Sequence, residues 1–201
     1  MTITYQVKDA VYVNLTNRCP CNCTFCLRQN GSGVFGSGPL WLEREPTLEE
    51  TVESLGQWDF TRFREVVFCG YGEPTERLDV LLAVATHLKG RDPSLRVRVN
   101  TNGLANLIHG KDITPELEGR FDTVSISLNA PDAKEFLALT RSKFGIQSFD
   151  AIKEFAVLAK RYVPNVVMTV VEKVMPEEKI EACRKICEEL GVTLRVRPFE
   201  E

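Results

Sequence analysis

Apolar and polar positions along this chain follow two rhythms. Short runs rich in β-branched residues stand at Val11–Leu15, Glu65–Phe68, Arg96–Val99, Thr123–Leu128, Val166–Val171 and Thr193–Val196, and they predict six strands. Between them the period lengthens to that of a helix. Thr47 and Glu50 form a capping-box pair that opens a first helix after Pro46, and Leu78, Leu81, Leu82, Ala85 and Leu88 stripe a second. Thr114-Pro115 starts a short third helix, and Asp132 with Glu135 caps a fourth. Phe149, Ile152, Phe155 and Leu158 give a fifth its core face. A sixth begins at Pro176, shares Ile180, Cys183, Cys187 and Leu190 on one face, and stops at Gly191.

Strand and helix in regular alternation predict an α/β fold with a parallel sheet. Six β/α units are too few to close the eight-stranded barrel. The expectation is a partial (β/α)6 TIM barrel, laterally open, in a single domain over residues 1–201. No internal repeat or low-complexity tail interrupts it.

Composition narrows the classes. Apolar content of 43% and charged content of 26% are those of an ordinary globular protein, and the net charge of −3 supplies no broad basic field for nucleic acid or anionic lipid. No apolar run approaches the roughly 20 residues that cross a bilayer, and the first residues lack a signal-peptide pattern. Seven cysteines, four of them in one loop, suit a reducing cytoplasmic location better than a disulfide framework.

The chemistry is concentrated in that loop. Cys19, Cys23 and Cys26 stand at C-x3-C-x2-C spacing directly after the first predicted strand. Three thiolates in one tight loop can hold three irons of a cubane [4Fe–4S] cluster and leave the fourth open. Cys21, between two of them, is expected to point elsewhere. A zinc site would need a second cysteine or histidine pair, and the two histidines, His87 and His109, are remote in sequence. A dithiol redox role is the other alternative.

Three further motifs follow the next three predicted strands: G-Y-G-E-P-T at 70–75, N-T-N-G-L at 100–104 and S-I-S-L-N-A-P at 125–131. In a parallel barrel, sites gather at the C-terminal strand ends, so all four motifs should face one cavity.

This set of motifs, in this order, resembles the radical S-adenosylmethionine (SAM) enzymes, and among them the small TatD-associated radical SAM proteins, over nearly the whole chain. The resemblance implies a [4Fe–4S] cluster on Cys19, Cys23 and Cys26, with SAM chelating the open iron. It implies that the backbone of Gly70 and Gly72, with Glu73, holds the amino group of SAM, although Tyr71 turns the family's Gly-Gly-Glu-Pro into G-Y-G-E-P. Asn100 falls where relatives of the pyruvate formate-lyase activating type carry a ribose-binding Asp. Ser127 and Asn129 fall where that type has an Asp and a Lys near the ribose and carboxylate, and Phe25 is expected beside the adenine. The activity implied is reductive cleavage of SAM to a 5′-deoxyadenosyl radical that takes hydrogen from a macromolecule or a nucleotide-like small molecule. The alternative is an iron–sulfur carrier or sensor. A low-potential donor such as flavodoxin or ferredoxin would supply the electron, and the group's association suggests a functional link to a TatD-type nuclease.

Other candidates are weaker signals. Arg28, Arg141, Lys143, Arg195 and Arg197 are basic groups that either reach the cavity or stay solvated. Cys69 is either a hydrogen donor or a buried strand cysteine, and Cys183 and Cys187 read as core rather than as a metal pair. The glycine-rich run Asn30–Pro39 is either a connector or a lid, with Val34 and Phe35 as the residues that would close it. No side chain is assigned a catalytic acid or base role.

Overall fold

The computed structural model describes residues 1–30 and 36–198. Val34 and Phe35, the apolar tip of the expected lid, lie outside the described residues.

Six parallel strands stand where the sequence predicts them: β2 (Ala10–Val13), β3 (Glu65–Phe68), β4 (Arg96–Thr101), β5 (Thr123–Ser127), β6 (Asn165–Val171) and β7 (Thr193–Arg197). A seventh, β1 (Thr4–Val7), was not anticipated. It pairs antiparallel with β2 through a two-residue turn at Lys8 and Asp9, with Tyr5 opposite Tyr12. The sheet is therefore mostly rather than wholly parallel. Its strands run in chain order from β1 to β7, and among the described residues no ladder joins β7 back to β1. The barrel is laterally open, as expected.

The helices are α1 (Leu48–Gly56), α2 (Leu78–Arg91), α3 (Ala105–His109), α4 (Ala133–Thr140), α5 (Ser148–Ala159) and α6 (Glu177–Leu190). The capping box at Thr47 and Glu50 is present, and Asp132 accepts from the backbone of Lys134 and Glu135. Two details differ from expectation. The five-residue α3 was missed, and Thr114–Leu117 forms a single 3-10 turn, because Glu118 turns extended after only four residues.

Side-chain alternation separates the two faces of the sheet. Val66, Phe68, Val97, Val124, Ile126, Met168 and Val170 are fully buried against the helices and carry the core. Each such burial contributes on the order of 1.5–3 kcal/mol. Cys183 and Cys187 belong to this core, as read from the sequence. The opposite face is mixed: Cys69, Arg98, Asn100, Ser125, Ser127, Thr169, Arg195 and Arg197 line a cavity inside the curve of the sheet together with Tyr12 and Val171. A closed barrel fills this space with branched apolar residues. Here the space is left open, with polar groups among its lining.

Candidate active site

The cysteine loop leaves β2 at Val13 and is tied down on three sides. Asn14 donates from its backbone to Ile3 and from its side chain to the carbonyls of Leu40 (2.7 Å) and Thr2 (3.3 Å). Further along, Asn22 and Thr24 donate to the carbonyls of Thr140 and Leu139 at the end of α4, and Lys143 donates to that of Pro20. On the third side, Glu73 N–H donates to the Arg18 carbonyl at 2.8 Å.

That last approach explains the glycines. A Cβ on Gly70 would overlap the side chain of Asn14, and one on Gly72 would overlap the Thr16 carbonyl and stand 2.6 Å from that of Arg18. Both positions need glycine because the cysteine loop lies against them. Tyr71, between them, is buried with Tyr5, Val7 and Leu40 and meets Trp41 edge-on at 5.3 Å. The residue that departs from the family pattern therefore fills a second small apolar cluster.

Glu73 is buried and makes four hydrogen bonds. Its carboxylate accepts from Thr75 N–H (3.2 Å), Thr75 Oγ1 (2.8 Å), Thr101 Oγ1 (2.7 Å) and Asn102 N–H (2.7 Å). Burial pushes its pKa up against these four bonds. The side chain thus ties the loop after β3 to the loop after β4.

The thiols of Cys19, Cys23 and Cys26 line one end of the cavity. The expectation for Cys21 is corrected: its thiol lies in hydrogen-bond reach of both Cys19 and Cys23, because the loop is pinned to α4 on either side of it. Hydrogen bonds from Cys21 lower the pKa of Cys19 and of Cys23, while those same bonds and burial raise its own. Arg28 donates to Cys26 Sγ at 3.3 Å and to the Cys21 carbonyl at 3.0 Å. Asn102 Nδ2 stands 3.9 Å from Cys19 Sγ. Among the described residues no three such side chains surround one point as a mononuclear ion would require. A cubane asks for something different, one thiolate on each of three irons, and this set of cysteines can supply it.

Phe25, Gly70, Gly72, Glu73, Asn100, Ser127 and Asn129 all line the same cavity, whose volume is about 310 Å³. Asn100 hydrogen-bonds the Cys69 thiol, and its Oδ1 is buried with no partner. Asn129, at a positive φ of 57°, likewise buries an unpartnered Oδ1. Two orphaned acceptors from neighbouring strand ends suit a ligand that brings hydroxyl or ammonium donors.

The basic candidates divide. Arg28, Arg195 and Arg197 line the cavity, whereas Arg141 and Lys143 are exposed and do not, because α4 ends by turning both outward. Sequence reasoning missed Arg98 and Cys21 as cavity residues and placed Asn102 there only as part of its motif. The signal for Arg98 was present: Val97 and Val99 face the helices, so the residue between them must face inward.

Comparison with known proteins follows the same outline. The sequence model of the family described as the Radical SAM superfamily matches residues 13–190. A GTP 3′,8-cyclase from Mycobacterium ulcerans is 29% identical over 190 residues, which cover 92% of this chain and 48% of that protein. One from Corynebacterium glutamicum is 30% identical over 141 residues, covering 64% and 33%. The chain thus spans a third to a half of the length of these curated relatives. Among solved structures, SuiB of Streptococcus suis bound to SAM superposes with a TM-score of 0.63 at 19% identity, over 94% of this chain and 38% of that one.

Proposed function

Because the chain belongs to the radical SAM superfamily, we propose that it is an enzyme that cleaves SAM reductively and abstracts hydrogen from a nucleotide-like small molecule. The observation that carries this reading is the convergence of three cysteine thiols and two orphaned asparagine acceptors, from three different strand ends, on one cavity. With a [4Fe–4S] cluster on Cys19, Cys23 and Cys26 and SAM at the open iron, the chemistry supplied is one-electron cleavage of the S–C5′ bond to methionine and a 5′-deoxyadenosyl radical.

The chain's own residues bind, orient and enclose. Arg28 donates a hydrogen bond to Cys26 Sγ and so orients that ligand. The backbone of Gly70 and Gly72 receives the amino group of SAM, and Glu73 holds that backbone against the loop after β4. Asn100 and Ser127 take ribose hydroxyls, Asn129 takes a donor at the methionine end, and Phe25 packs beside the adenine. The curated relatives named GTP 3′,8-cyclase support the substrate class. A low-potential flavodoxin or ferredoxin supplies the electron. None of the seven cysteines is in a disulfide, which suits a cytoplasmic protein, and among the described residues no helix is long and apolar enough to cross a membrane.

The test is iron and sulfide analysis of anaerobically purified protein, with its absorption spectrum recorded before and after SAM. About four irons and four sulfides per chain are expected, with a spectrum that SAM perturbs. Stoichiometric zinc in a colourless protein would overturn the reading.

A further inference from the structure

Three arginines project from the sheet's inner face into the cavity, and none of them is used by the cofactor reading. Arg98 lies on β4 two residues before Asn100 and on the same face, so it sits roughly 7 Å deeper than that residue. Arg195 and Arg197 come from β7, the last strand. Arg195 reaches past β6 to donate to Ser125 Oγ on β5 at 3.3 Å, which brings it toward Arg98 on the adjoining strand.

The hydrogen-bonding of this group is incomplete. Arg98 is only 9% exposed, and its guanidinium pairs with Glu65 at 2.8 Å, yet its Nε is buried with no partner. The Nε atoms of Arg195 and Arg197 are buried and unpartnered as well. Burial and the like charges of Arg98 and Arg197 push the pKa of Arg195 down, while Tyr12 and Glu65 oppose that shift. Within this group the one carboxylate, Glu65, pairs with Arg98, and no ion pair is formed by Arg195 or Arg197 among the described residues. A partly buried, mutually repelling cluster whose Nε atoms are out of reach of water is costly unless an anion completes it. Guanidinium forks match the oxygens of phosphate in pairs.

From this geometry we infer that Arg98, Arg195 and Arg197 anchor a dianionic phosphate group of the substrate, below the layer of Asn100 and Ser127. The inference rests on the reading of this cavity as the substrate site and specifies which part of the substrate enters deepest. A phosphate held here directs the remainder of a small molecule up toward the strand ends, where hydrogen abstraction takes place. It also makes phosphate monoesters better substrates than their dephosphorylated counterparts.

The test uses the cluster-loaded, SAM-saturated protein at about pH 8, where inorganic phosphate is largely the dianion. Its thermal midpoint is followed while inorganic phosphate, acetate or chloride is added at matched ionic strength. Phosphate is expected to raise the midpoint saturably, as a ligand of the folded state does, and acetate and chloride are not. Arg195→Gln and Arg197→Gln should each weaken the apparent phosphate affinity by about tenfold or more. Glu65→Gln, which removes the opposing charge, should tighten it, a direction that loss of packing would not produce. Arg141→Gln, outside the cavity, should leave it unchanged. Acetate acting as strongly as phosphate, or both β7 variants binding phosphate like the wild type, would overturn the anchor. The same wild-type preparation is assayed for SAM cleavage. Cleavage without a phosphate response overturns the anchor alone, whereas a full cluster that leaves SAM intact overturns the reading of the site.

Discussion

Gly72 lies so close to Thr16 that any side chain at 72 would overlap the Thr16 carbonyl oxygen. The loop that carries the cysteines and the loop after β3 are thereby packed backbone to backbone. Gly70 makes a similar approach, but to the side chain of Asn14, which can move if it gives up its bond to Leu40. Gly72→Ala should therefore be the more damaging change, by roughly 1–3 kcal/mol of overpacking strain, with reduced iron incorporation. Gly70→Ala should lose less of both. Urea midpoints and iron content of the two variants check this order.

Glu45 anchors the start of the cysteine loop through Thr16 (2.6 Å), Arg18 (2.7 Å) and Arg77 (3.2 Å). Burial opposes its charge, but the hydrogen bonds from Thr16 and Arg18 and the charges of Arg18 and Arg77 outweigh it and hold the carboxyl below its ordinary 4.5. A carboxyl depressed in the folded state stabilises above the unfolded value, and that stabilisation is lost as pH falls through the folded value. Glu45→Gln should thus lower stability near neutrality by about 0.2–1 kcal/mol, modest because the group is partly exposed. The difference should close as the pH drops below 4.5. Thermal midpoints of the two cluster-free chains from about pH 7 to about pH 3 would show it.

Glu73→Ala would leave Thr75, Thr101 and Asn102 without their buried acceptor. Each stranded donor costs about 1–3 kcal/mol, so a marked fall in the urea midpoint is expected together with weaker SAM binding. Glu73→Gln keeps part of the acceptor set and should fall between. Wild-type stability in the alanine variant would remove Glu73 from the architecture of the site.

Cys21 gives the sharpest test of ligand choice, because its thiol lies among those of Cys19 and Cys23. Cys21→Ala should keep about four irons per chain, as should Cys183→Ala, which touches only the core. Alanine at Cys19, Cys23 or Cys26 should abolish the cluster. Iron analysis and the visible spectrum decide it.

The parts legible in the sequence were those set by local pattern. Val66 and Phe68, Val97 and Val99, and Val124 and Ile126 announce strands by alternation, and Thr47, Asp132 and Gly191 mark helix ends by their own chemistry. β1 was hidden because four residues, T-Y-Q-V, become a strand only through pairing with β2 across Lys8 and Asp9. The direction of the Cys21 thiol depends on loop contacts with Thr140 and Leu139, far along the chain. Arg98 is visible as an inward strand residue, but its place beside Arg195 depends on the curvature that brings β7 across to β4. Contacts made by distant strands carry no local sequence signal.

The most direct test of the central claim is the fate of SAM on the anaerobically reconstituted protein after reduction with dithionite. Chromatography should show 5′-deoxyadenosine and methionine accumulating together in wild type and neither in Cys23→Ala. A protein with a full cluster that binds SAM but returns it intact would contradict the account.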